Sequence, residues 1–113
     1  MLVAVVALLH VWFLILEMFL WTKPIGLKVF RNTKERAQSS ATLAANQGLY
    51  NGFLAAGLLW GLSLGPVGLA VKTFFLTCVT VAALFGAVTV SVRILFVQGV
   101  PAIAALALLW LAR

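Results

Sequence analysis

Four apolar runs, each long enough to cross a lipid bilayer as a helix, occupy most of this chain of 113 residues. The sequence is 65% hydrophobic and 9% charged, whereas a soluble domain is about half apolar and about a quarter charged. A transmembrane helix needs about 20 mostly apolar residues. We therefore expect an all-α fold, a bundle of four transmembrane helices with antiparallel up-down neighbours in a single domain. The predicted spans are residues 2–21, 42–62, 68–90 and 94–112 of the domain 1–113.

Charge between the runs predicts how the chain is oriented. The connection 22–41 carries five basic residues: Lys23, Lys28, Arg31, Lys34 and Arg36. Arg93 would fall on the same side, and only Lys72 and Arg113 on the other. Because cytoplasmic loops are enriched in Lys and Arg, we expect loop 22–41 to be cytoplasmic and both termini to be outside. The loop is either a solvated connection or a short helix lying on the membrane surface.

The same distribution limits the kinds of partner. The net charge of +6 is concentrated in a loop where it sets topology, so we expect no nucleic acid and take the lipid bilayer as the main partner. One histidine and one cysteine, Cys78, make a poor ligand set beside two acidic residues. We therefore expect no metal and no cofactor.

Glu17 is the most unusual residue, because it lies inside the first apolar run. The other acidic residue, Glu35, lies in the basic loop. A charged side chain at membrane depth costs about 3 kcal/mol or more, and such residues usually mark functional sites. His10 is seven residues earlier and projects within about 20° of Glu17 on a helix. His10, Leu14, Glu17 and Trp21 would form one stripe, with Glu17 and His10 as a catalytic acid–base pair.

Polar side chains of three runs are predicted to lie at similar depth. Counted at about 1.5 Å per residue from the cytoplasmic end, Glu17 and Asn46 are both about 6 Å into the membrane. The expected ligand-binding residues are Asn46, Gln47, Tyr50, Asn51, Gln98 and Trp12. Trp12 would either pack in the core or line the cavity.

Pro101 lacks a backbone donor and would free a carbonyl near Val97, beside Gln98. The pattern predicts a polar pocket open toward the cytoplasm.

The second run is predicted to have two faces. On a helix, Asn46, Gln47, Tyr50 and Asn51 form a polar face toward the first run. Gly48, Gly52 and Ala56 fall on another face, and small residues at this spacing allow close helix packing in lipid. That seam is a possible homo-oligomer interface.

Three segments carry a family resemblance. They are LEMFLWTKPIGLKVF (16–30), LAANQGLYNGFLAAGLLWG (43–61) and ILFVQGVPAIAAL (94–106). The chain resembles a family of small bacterial four-helix integral membrane proteins catalogued as a domain of unknown function. The resemblance implies the four-helix fold and a place in the bacterial inner (cell) membrane, and it implies no activity.

Three functions fit these residues. The first is binding and acid–base conversion of a lipophilic small molecule (isomerisation, epoxide opening or cyclisation) by Glu17 and His10. The second is proton-coupled transport of a small molecule, with Glu17 as the proton site. The third is a non-catalytic membrane assembly subunit, in which the polar residues only hold helices together.

Overall fold

The computed structural model describes residues 1–112, and within that range the elements are helices and turns without a strand. The all-α class is confirmed. Arg113, which entered the charge count above, lies outside the described residues. The helices are α1 (Leu2–Met18), α2 (Pro24–Val29), α3 (Lys34–Ser39), α4 (Ala41–Ser63), α5 (Leu69–Thr89) and α6 (Val100–Leu111). A short 3₁₀ turn, Gly65–Gly68, precedes α5, and a π-helical segment, Leu95–Gly99, precedes α6.

Helix α1 ends at Met18, three residues before the predicted boundary at 21. The peptide N–H of Leu20 donates to the carbonyl of Ile15 at 3.1 Å, which is a wider turn than the i to i−4 bond of an α-helix. Gly26 lies against this end, because a Cβ on Gly26 would be 1.9 Å from the Leu20 carbonyl oxygen. Trp21 therefore lies beyond α1 and does not extend the stripe of His10, Leu14 and Glu17.

Loop 22–41 is largely helical. Pro24 occupies the first turn of α2, where a missing N–H costs no helix hydrogen bond. Thr33 caps α3 by accepting a hydrogen bond from the Arg36 peptide N–H at 3.2 Å. Between them Arg31 adopts a left-handed backbone conformation, with φ 51°. The loop is thus two short helices joined by a tight turn.

One described helix is long and apolar enough to cross a membrane. It is Gly65–Thr89, 25 residues with a mean hydropathy of 2.0, and only 22% of its most apolar window is buried. Leu2–Met18 and Leu95–Leu111 are apolar but shorter. The all-helical class is therefore established, whereas the four transmembrane spans stay a prediction.

By their contacts the residues form two compact units, which we describe separately. The apolar unit comprises Met1–Leu9 and Leu54–Arg113, and the polar unit comprises His10–Phe53. The core of the apolar unit contains Val3, Val6, Ala7, Leu58, Leu76, Val79, Ala102 and Ala105. Small residues let its helices approach closely: a Cβ on Gly57 would be 2.3 Å from the Phe75 ring.

Pro101 lies at the start of α6, directly after the π-helical segment that contains Gln98. Proline is tolerated in the first turn of a helix because its missing N–H has no helical partner there. The wider winding of Leu95–Gly99 is the kind of local adjustment by which a helix accommodates such a break. The sequence therefore located the interruption correctly, while the π-helical form of it was not anticipated.

Candidate functional site

Glu17 and Asn51 form the central polar contact of the polar unit. Glu17 lies one residue before the end of α1, and Asn51 lies within α4. The Asn51 side-chain amide donates to Glu17 Oε1 at 2.5 Å. Asn51 is only 6% exposed, and Glu17 is half-buried. The structure thus joins two of the polar residues proposed for a pocket by a hydrogen bond.

Two glycines of α4 allow α1 to come this close. A Cβ on Gly48 would be 2.7 Å from Met18 Cγ and 3.1 Å from Glu17 Cβ. A Cβ on Gly52 would be 2.6 Å from Leu14 Cδ1. Residues three and four apart share a helix face, so Gly48, Asn51 and Gly52 form one surface against α1. We call it the glycine face.

The glycine face changes the expected arrangement of α4. The sequence interpretation directed the polar face toward the first helix and left the glycine seam for another partner. In the structure α1 covers Gly48 and Gly52, while Ala56 is exposed. The prediction of which α4 face meets α1 was wrong because Asn51 lies at the edge of the predicted polar face. It projects within about 100° of both glycines, so it can contact α1 together with them. A second copy could not reach these two glycines while α1 covers them.

The other predicted ligand-binding residues of α4 lie away from Glu17. Asn46, Gln47 and Tyr50 are exposed, and on a helix they project about 90° or more from the centre of the glycine face. The Tyr50 ring contacts Phe53 of the same helix, with ring centroids 5.7 Å apart. These three side chains therefore do not close a pocket around the Glu17–Asn51 pair within the polar unit.

His10 is fully buried, and its ring lies edge-on to Phe13 with centroids 5.3 Å apart. It shares α1 with Glu17, seven residues away, which is about 10 Å along the helix axis. Direct proton transfer requires about 3 Å between heavy atoms. His10 and Glu17 are therefore separate polar groups on one helix and do not form a directly bonded acid–base pair.

The two remaining predicted residues have different surroundings. Trp12 is on α1 and is exposed, so of the two alternatives it does not pack in the core, and its contact with a ligand stays a prediction. Gln98 is half-buried in the π-helical segment of the apolar unit. No group of three or more His, Cys, Asp or Glu side chains that could hold a metal ion occurs within residues 1–112.

One contact that sequence reasoning missed fastens the basic loop. The Trp21 indole N–H donates to Ser40 Oγ at 3.2 Å, and the Trp21 and Phe30 rings lie 4.9 Å apart. The interpretation of Trp21 as the last residue of a stripe on the first helix concealed this role. The available signal was Phe30 in the basic loop, which begins directly after Trp21.

Comparison with known proteins places the chain in a family without assigning an activity. Residues 4–110 match the family described as "Protein of unknown function (DUF1304)". The uncharacterized protein YpaA of Lactococcus lactis is 33% identical over 103 residues, which cover 89% of this chain and 87% of that protein. No solved structure matches. The chain belongs to this family of unknown function, as the resemblance of its three segments indicated.

Proposed function

We propose that this member of the family is a four-span membrane protein that binds a lipophilic small molecule at the Glu17–Asn51 pair and uses Glu17 as an acid in its conversion. The expected chemistry is isomerisation, epoxide opening or cyclisation. The observation that carries the proposal is the hydrogen bond from Asn51 to Glu17, which joins the apolar helix α1 to α4. A carboxyl group there is costly unless it is paired and used.

The exposed surface supports a membrane location. On α5 alone, Phe74, Phe85 and Val88 are more than half exposed. Soluble monomers rarely expose large contiguous apolar patches, and lipid tails would cover such side chains at no cost. In the proposed arrangement loop 22–41 faces the cytoplasm, where its basic residues meet anionic headgroups.

The pair suits acid chemistry because Asn51 orients the carboxyl group. The Asn51 amide occupies Oε1, so the second oxygen is the one that would offer a proton to a ligand. A carboxyl oxygen accepts an N–H bond whether the group is neutral or charged. The amide partner therefore tolerates both forms, unlike a lysine or arginine, which would favour the charged one. His10 would act on a ligand lying along α1, since about 10 Å separates it from Glu17.

A reconstituted chain tests the enzyme proposal. Turnover of terpenoid and epoxide lipids would be measured for the unaltered chain, Glu17→Gln and His10→Ala, with Glu35→Gln as the matched control in the exposed loop. Loss of a positioned acid lowers a rate by about 10²–10⁴-fold, so we expect Glu17→Gln to lose turnover and Glu35→Gln to keep it. Unchanged turnover in Glu17→Gln would reject the proposal.

Proton-coupled transport is the second candidate, and the neutral partner of Glu17 favours it. Because Asn51 tolerates both protonation states, Glu17 could bind and release a proton without stranding a buried cation. Proteoliposomes carrying a pH-sensitive dye separate the two functions. Substrate-driven proton flux that disappears in Glu17→Gln, with no chemical change in the substrate, would establish transport.

The third candidate is an assembly subunit in which the pair only holds α1 against α4. The close packing of α1 on Gly48 and Gly52 favours it. This function predicts that Glu17→Gln alters the free energy of unfolding while binding and flux stay unchanged.

A further inference from the structure

The apolar unit contains a cavity of about 630 Å³ at the start of α5 and the end of α6. Its walls include Leu2, Pro66, Leu69, Leu108 and Leu109. Sites for small ligands usually measure about 300–1,000 Å³ and are lined mainly by apolar side chains. The cavity therefore has the size and lining of a binding site for an apolar chain.

Lys72 gives this cavity a positively charged side chain. It is the one charged side chain among the lining residues within 1–112. Its aliphatic stem lies against Gly61, because Lys72 Cγ would be 2.6 Å from a Cβ at that position. The glycine thus makes room for the stem, which lies along apolar surface as lysine stems commonly do.

The apolar unit supplies no acidic side chain to neutralise Lys72. Residues 1–9 and 54–113 contain neither Asp nor Glu, since the two acidic residues of the chain are Glu17 and Glu35. A lysine ammonium group beside an apolar cavity, with no Asp or Glu in its own unit, favours an anionic ligand. The positive charge of Lys72 thus favours a ligand whose polar end is negatively charged.

The neighbouring residues hold the cavity in shape. The Trp110 indole N–H donates to Thr73 Oγ1 at 3.0 Å, which ties α6 to α5 one residue beyond Lys72. In sequence Trp110 also lies between two lining residues, Leu109 on α6 and Ala112 directly after it. Tryptophan at such a position is typical of the boundary between apolar and polar surroundings in membrane proteins.

We propose that this cavity binds a fatty acid, with the carboxylate paired to Lys72 and the hydrocarbon chain against the leucines. An ammonium–carboxylate contact is a charge-assisted hydrogen bond, roughly twice as strong as a neutral one. The apolar walls supply the remaining affinity by removing the chain from water. The site lies within the apolar unit and does not depend on Glu17 or on any activity there.

Equilibrium dialysis of radiolabelled dodecanoate tests the proposal, using the full chain in uncharged maltoside micelles with empty micelles subtracted. We expect saturable binding that Lys72→Gln weakens about tenfold and Lys72→Arg retains, since loss of a charge-assisted bond is worth about one decade or more in affinity. Lys28→Gln removes the same charge from the exposed loop and should leave binding unchanged. Labelled dodecanol, which lacks the carboxylate, should bind equally to the unaltered chain and to Lys72→Gln.

A second pair of variants tests the position of the hydrocarbon chain. Leu108→Trp narrows the cavity at a lining residue, whereas Leu111→Trp changes an exposed residue of the same helix that does not line it. We expect only the first to reduce dodecanoate binding. Equal dodecanoate binding by the unaltered chain and Lys72→Gln, or equal loss in both tryptophan variants, would overturn the proposal.

Discussion

The polar and apolar units of this chain are stabilised by different kinds of contact. In the polar unit a carboxyl–amide hydrogen bond joins α1 to α4 over two glycines. In the apolar unit the core is made of Val, Leu and Ala, and residues 1–9 and 54–113 contain no acidic residue. Each unit nevertheless depends on glycine where helices or turns meet closely, as at Gly26 and Gly68. Close backbone approach is therefore common to both units, whereas the carboxyl–amide hydrogen bond belongs to the polar unit.

The difference shows where function can be sought in a chain with so few polar residues. Apolar packing in lipid gains little from removing side chains from water, because the lipid tails are equally apolar. A polar side chain between helices in lipid therefore needs a hydrogen-bond partner on the neighbouring helix. The Glu17–Asn51 hydrogen bond is a contact of this kind in the polar unit, and it is where we place the proposed function.

The largest effect is expected from core truncation in the apolar unit. Leu58 is fully buried in the core, and Leu58→Ala should lower the free energy of unfolding by about 2–5 kcal/mol because a cavity remains. Its neighbour Leu59 is exposed, so Leu59→Ala is the matched control and should change stability little. Unfolding in a detergent titration followed by circular dichroism would measure both. Equal effects would contradict the core assignment.

A somewhat smaller effect is expected at Gly26 in the polar unit. The added Cβ of Gly26→Ala would meet the Leu20 backbone oxygen at 1.9 Å, and overpacking of this kind costs about 1–3 kcal/mol. Gly68→Ala is the counterpart in the apolar unit, since its Cβ would be 2.1 Å from the Gly61 carbonyl oxygen. Thermal unfolding should show similar losses for both. A loss confined to one unit would break the parallel between them.

Asn51→Ala should cost about 1–3 kcal/mol, because it leaves the half-buried Glu17 without its amide donor. Asn46→Ala, at an exposed position of the same helix, is the control and should be nearly neutral. A double-mutant cycle with Glu17→Gln would measure the coupling between the two side chains directly. Additive effects would show that the pair contributes nothing as a pair.

The smallest effect is expected from the hydrogen bond between Trp110 and Thr73 in the apolar unit. Thr73→Val removes the acceptor for Trp110 and should cost about 0.6 kcal/mol, the average for such bonds between membrane helices. Thr77→Val is the control, since Thr77 donates only to the Thr73 carbonyl within α5. Chemical unfolding would compare them. If Thr73→Val lowered the free energy of unfolding as much as Asn51→Ala, the two units would not differ in how much they depend on a polar contact.

Several features were predictable from local sequence alone. Apolar length and periodicity predicted helices close to α4 and α5, and the proline predicted an interruption before α6. Depth counted along the helices placed Glu17 level with Asn46, whereas the amide that bonds it is Asn51, about 7 Å further along α4. Trp21 was assigned to the first helix, however, because composition does not reveal that the chain turns after Met18 against Gly26.

The sequence by itself determined that this chain is helical, that it belongs to a family of unknown function, and that Glu17 is the acidic residue inside its first apolar run. These properties depend on residue type and on spacing along one helix. Only the tertiary structure decided that α1 packs on Gly48, Asn51 and Gly52, that Asn46, Gln47 and Tyr50 are exposed, and that Lys72 borders a cavity. Those outcomes depend on which helix faces can approach closely, which is a property of pairs of helices and cannot be read from either one alone.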